Sequence, residues 1–113
     1  MVKYRSLLIF PLDLIFFTPD PNFVKHTRNV NNASIVMKLF YGSTSYLFTG
    51  DLEMKGEAQI IQFNEELESD VLKVGHHGSN TSSSDYFLQR VLPKIAVVSV
   101  GYKTNFITQM KML

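Results

Sequence analysis

The 113-residue sequence predicts an α/β fold, a mixed sheet with two helices. Three observations carry that prediction. Apolar runs rich in Leu, Ile and Phe open the chain at residues 7–10 and 12–17. Two later runs end abruptly in polar residues, 46–49 before Asp51 and 71–74 before the pair His76-His77. Apolar residues at helical spacing fill the segment between those runs and recur after the second.

Taken in order, residues 7–10 and 12–17 are split by Pro11, which suits two strands or one bent edge strand. Lys3 and Arg5 precede the apolar run as in a secretory signal. Pro11 and Asp13 interrupt it, however, and no small-residue cleavage site follows, so buried strand is the better reading. The run is also too short and too broken to span a membrane. Thr18-Pro19-Asp20-Pro21-Asn22 reads as a turn. Residues 23–30 carry Lys25, His26 and Arg28 without a clean period and read as an exposed loop, with His26 at the solvated surface.

Asn31 and Asn32 read as a turn in which side chains bond neighbouring backbone. Residues 35–41 and 45–49 then form an antiparallel hairpin. Residues 52–67 predict a helix with Met54, Ala58 and Ile61 on one stripe and Ile60, Phe63 and Leu67 beside it. Gly56 weakens its first turn by roughly 1 kcal/mol relative to Ala. Asp51 or a neighbour is placed to start it, because free N–H groups there favour an acidic side chain. Residues 70–75 are a further strand and 78–84 a polar loop. Phe87, Leu88, Val91 and Leu92 mark a short helix stopped by Pro93. Residues 95–100 read as a strand buried on both faces. Residues 102–113 carry no strong pattern.

Composition narrows the function. A formal net charge of +1 leaves no basic footprint for nucleic acid. Cysteine is absent, so disulfides and thiolate metal sites are excluded and any metal is held by histidine and carboxylate. In α/β sheets ligands gather beyond the carboxyl ends of strands, where Asp51 and His76-His77 both fall. Carboxylate and imidazole suit zinc, manganese or iron, and a carboxylate is able to bridge two ions. Adjacent histidines after a strand point different ways, so one ligates while the other faces substrate or a second metal. Gly75 and Gly78 let the backbone turn around them. The plain structural alternatives are a helix cap for Asp51 and a surface loop for the histidines.

The phrases NNASIVMKLFYGSTSYLFTGD and DVLKVGHHGSNTSSSDYFLQRVLPKIAVVSVG resemble the metallo-β-lactamase superfamily. The hydrolase domain of ComEC-type DNA-uptake competence proteins, with its soluble relatives, is the branch resembled, over residues 12–101. The resemblance implies the C-terminal half of an αββα sandwich around a dinuclear zinc or manganese centre. It implies Asp51 as the bridging carboxylate, His76 or His77 as the last histidine ligand, and Ser79 and Thr81 along the substrate cleft. The implied activity is hydrolysis of phosphodiesters or other esters, with DNA a partner by resemblance alone. The family's HxHxDH motif has no counterpart in these residues, and the chain holds three histidines in all. The expectation is therefore one partial domain over 1–113 with an atypical tail at 102–113. On this reading it is inactive alone and completed by an N-terminal half, or is a non-catalytic subdomain that self-associates. A soluble relative would be cytoplasmic, and a piece of a competence channel membrane-associated.

Overall fold

The computed structural model describes residues 2–9, 11–63 and 66–99. Among these, six strands lie side by side in chain order: β1 (Val2–Ile9), β2 (Leu12–Thr18), β3 (Val36–Tyr41), β4 (Thr44–Phe48), β5 (Val71–Lys73) and β6 (Ile95–Val97). The first four pair antiparallel, with two residues between β1 and β2 and between β3 and β4, and residues 19–35 between β2 and β3. The last three are parallel, which requires crossovers, and helices α2 (Met54–Phe63) and α3 (Asp85–Val91) supply them. The sheet is mixed, as the sequence predicts. The tail 102–113 lies outside the described residues.

Strand alternation sorts the side chains onto two unlike faces. Ile15, Lys38, Leu47, Leu72 and Ala96 form one cross-strand row, with Phe17 and Val36 paired beside it. The apolar members of this face, Ala96 apart, are buried with Leu52, Ile60, Leu67, Phe87 and Val91, so both crossover helices cover it. Lys38 is buried in the middle of that row, and its Nζ donates to the carbonyls of Glu66 and Glu68 at 2.7 and 2.6 Å. That pairing offsets the cost of burying the ammonium and ties β3 to the chain after α2.

The opposite face carries Leu14, Leu39, Tyr46, Val71 and Ile95 in one row and Phe16, Met37, Phe48, Lys73 and Val97 in the next. All ten are partly or fully exposed. Ile95 and Val97 are about half exposed, at 54% and 48%, so β6 is not the doubly buried strand that its composition predicts. It is an edge strand paired only with β5 among the described residues, and its outer face is bare.

Two helices are expected, and three α-helices are found among the described residues. The third, α1 (Pro21–His26), replaces part of the predicted loop. Asp20 caps it, its Oδ1 accepting from Asn22 N and Phe23 N at 2.8 and 3.1 Å, and Pro21 takes the first turn, where no N–H is needed. The turn residues were thus a helix start. His26 is exposed on this helix, as expected.

Helix α2 is shorter than residues 52–67, and its inner stripe is Gly56, Glu57 and Ile60, while Met54 and Phe63 are 46% and 54% exposed. Gly56 sets this rotation. A Cβ there would lie 2.3 Å from Leu52 Cδ1 and 3.0 Å from Asn32 Oδ1, so the missing side chain is what seats the first turn. Nor does Asp51 cap the helix. The buried Asn32 does so from a distance, its Oδ1 accepting from Glu53 N and Gly56 N at 3.2 and 3.0 Å. Glu57, 2% exposed, accepts from Ser83 N and Ser84 N and so fastens α2 to the start of α3. Burial pushes its carboxyl up, against the pull of the Ser84 and Ser83 amides.

Asp70 clips three strands together. Its Oδ2 accepts from Ser45 N and Oγ, its Oδ1 pairs with Lys94 Nζ at 3.1 Å, and its carbonyl accepts from Lys94 N and Ile95 N. The Ser45 amide, then Lys94, hold its carboxyl below the ordinary value of about 3.9. A lowered folded-state value stabilises the protein above that pH and ceases to do so as pH falls through it. The gap in urea midpoint between wild type and Asp70→Asn is therefore expected to be constant near neutrality and to close below about pH 4. A gap that stays constant to pH 2 would contradict the clip.

Candidate metal centre

The parallel register places Phe48 beside Lys73, so β4 and β5 end at the same edge of the sheet. The segments leaving the two strands are drawn together there. His76 N donates to the Gly50 carbonyl at 3.1 Å, and Asp51 N donates to Ser34 Oγ at 3.2 Å. Gly75 makes the approach feasible: a Cβ at that position would meet Thr49 Oγ1 at 3.0 Å and the Leu52 carbonyl at 3.1 Å. Gly75 therefore permits close contact rather than a sharp turn. The turn is made by the histidines themselves, with φ of 46° and 53°, and by Gly78 with φ of 79°. Two left-handed histidines in succession send their rings in different directions.

His77 Nδ1 lies 2.9 Å from the Ser99 carbonyl, which accepts only, so Nδ1 carries a proton and, in a neutral ring, Nε2 keeps the lone pair. Nε2 is 3.9 Å from Asp51 Oδ1, and both side chains are open, at 66% and 48% exposure. His76 turns instead toward the loop before α2, its Nδ1 3.0 Å from Glu53 Oε1 and 3.4 Å from Thr81 Oγ1. The structure thus pairs Asp51 with His77 and separates His76 from them. Among the described residues no three His, Asp or Glu side chains gather as a metal cluster. An open carboxylate and a bare imidazole nitrogen fit a borderline metal ion as two of its ligands, and a catalytic zinc takes three protein ligands and a water.

Glu53 is the residue that sequence reasoning missed. Its carboxylate accepts from Asn29 Nδ2, from Asn31 Nδ2 at 3.4 Å and from Thr81 Oγ1 at 3.1 Å. Partial burial works to raise its pKa, and the Asn31 and Thr81 bonds, the nearby His76 ring and the Asn29 bond together bring it below the ordinary range. The sequence signal was slight, an acidic residue two places after Asp51. Its partners come from 24 residues upstream and 28 downstream.

Beside Glu53 opens a cleft of about 780 Å³, its lining including His26, Arg28, Asn29, Lys55, Asn80 and Thr81. Thr81 is therefore on the cleft wall, and Ser79 stands behind it, the two hydroxyls 2.9 Å apart. Arg28 and Lys55 have no carboxylate within ion-pair reach among the described residues.

The metallo-beta-lactamase superfamily model matches residues 2–102. The chain belongs to that superfamily. It is 39% identical over 88 residues to ComE operon protein 3 of Bacillus subtilis (strain 168), covering 78% of this chain and 11% of that protein. It is 48% identical over 77 residues to Competence protein ComA of Neisseria gonorrhoeae, covering 67% and 11%. With Recombination protein 2 of Haemophilus influenzae the identity is 44% over 75 residues, covering 66% and 9%. These are the ComEC-type relatives to which the two sequence phrases point. The chain spans about a tenth of the length of each. Among the described residues no helix is long and apolar enough to cross a membrane.

Gly75→Ala tests the packing that assembles this superfamily edge. The added methyl meets backbone and a buried threonine, so a loss of about 1–3 kcal/mol in urea unfolding is expected. Faster amide exchange at His76 would accompany it. An unchanged unfolding midpoint would show that the strand ends do not need this close approach.

Proposed function

We propose that this chain carries part of the metal centre of a hydrolase acting on phosphodiesters or related esters, and that it does not turn over by itself. Asp51 and His77 are two ligands of a zinc or manganese ion, with Asp51 disposed to bridge a second. The single observation that carries this is the pairing of Asp51 Oδ1 with the bare Nε2 of His77 at the ends of adjacent parallel strands. When bound, such an ion supplies a water acidified toward neutral pH and polarises the scissile ester. Among the described residues the pair is short of the three ligands that a catalytic zinc takes, and on this reading a separate N-terminal half completes the set. The exposed apolar face of the sheet supports the same reading, because a segment packed there would bring further donors to the edge.

Arg28 and Lys55 favour an anionic substrate in the neighbouring cleft, and Thr81, bonded to Ser79 behind it, contributes a hydroxyl to its wall. DNA is the candidate among phosphodiesters, on the strength of the competence proteins among the relatives.

The second reading is a non-catalytic subdomain that folds by self-association or with a partner chain. The bare face, with one charge among ten side chains, favours it equally.

Calorimetric titration with zinc and manganese separates the two. Under the metal reading wild type binds weakly. His77→Ala and Asp51→Ala each lose tenfold or more, about 1.4 kcal/mol, while His76→Ala loses less. Equal binding by all three variants and wild type would remove the proposed ligands. Light scattering on the same samples reports association, and a monomer at all concentrations would count against the second reading.

A further inference from the structure

His76 belongs to a group of polar side chains that the Asp51–His77 pair does not use. Glu53 is its centre, with Asn29, Asn31 and Thr81 all donating to the carboxylate and His76 Nδ1 3.0 Å from Oε1. The donors are not free to reverse. Asn29 Oδ1 already accepts from Asn31 N at 3.0 Å, which leaves its Nδ2 to face Glu53. An ionised carboxylate accepts only, so the imidazole nitrogen facing it is the one that carries the proton. In a neutral ring the lone pair is then at Nε2. The Glu53 side chain is 15% exposed and that of His76 32%, so the anchoring group is the more enclosed of the two.

We propose that Glu53 is a positioning residue, which holds His76 in the Nδ1–H tautomer and so leaves Nε2 as the nitrogen with the lone pair. The two adjacent histidines then share one tautomer by different means. A backbone carbonyl, that of Ser99, sets His77, and an amide-braced carboxylate sets His76. A carbonyl is supplied by any residue at position 99, whereas the second acceptor depends on one side chain and its braces. The metal-accepting or proton-accepting use of Nε2 rests on the reading of this edge as a hydrolase centre. The tautomer itself does not.

Imidazole ¹⁵N shifts, read by long-range ¹H–¹⁵N correlation on metal-free protein in EDTA at pH 8, decide the matter. In wild type, His76 Nδ1 is expected at the protonated-nitrogen position and Nε2 at the bare one. Glu53→Gln keeps that pattern, because its amide oxygen still accepts. Glu53→Ala releases the ring to the Nε2–H form usual in water, and Asn31→Ala, which removes a brace but not the acceptor, leaves the pattern in place. Wild-type His76 found with Nε2–H overturns the proposal, as does an unchanged tautomer in Glu53→Ala. Failure of the metal reading would appear separately, as absent zinc binding with the His76 tautomer intact.

Discussion

The close passage of Gly75 across the end of β4 is the constraint on which the edge bearing Asp51 and His77 depends. Parallel strands alone bring two carboxyl ends to one side of a sheet, but their side chains hold the following loops apart. Here the chain after β5 loses that spacer. The backbone settles against Thr49 and Leu52, and the His76 amide reaches the Gly50 carbonyl. Asp51 and His77 approach each other only because of this. The Gly50–Asp51 turn is itself tied to Ser34, so the hairpin, the crossover and the histidine loop converge on a few backbone contacts.

The sheet serves two unlike environments. On one face α2 and α3 complete a core in which the polar members, Lys38 and Glu57, are matched by carbonyls and amides. On the other face apolar side chains stand in register and are partly or fully exposed. The match to the metallo-beta-lactamase superfamily model spans both faces of this sheet, over residues 2–102, and the relatives are roughly nine times longer than the aligned segment.

Much of this was legible in the residues. Strand alternation, the inner residues Phe87 and Val91 of α3 and the two strand ends bearing Asp51 and His76-His77 are local signals that appear where the pattern places them, whereas Leu92 ends α3 in a left-handed turn and is exposed. The hidden part is non-local. Asn32 looked like a turn residue because its work, capping α2 from 21 to 24 residues away, leaves no trace at its own position. Glu53 stood unremarked inside the predicted helix because its partners Asn29, His76 and Thr81 are distant in sequence. Asp20-Pro21 was ambiguous in itself, since the same residues start turns and helices. The exposure of β6 follows from its place at the sheet edge, which hydrophobicity does not encode.

Three successive residues with positive φ, from His76 to Gly78, have an evolutionary corollary. Backbone in this region admits few side chains without strain, and β-branched ones least of all. A histidine doublet that drifts must therefore satisfy the chain before it satisfies any ligand. Asparagine and glycine are the substitutions that the conformation tolerates, and both abolish imidazole chemistry. Variation at 76 and 77 should thus show a gap between variants that fold and variants that retain a nitrogen donor. A library randomised at these two codons would be sieved by conformation first and by chemistry second.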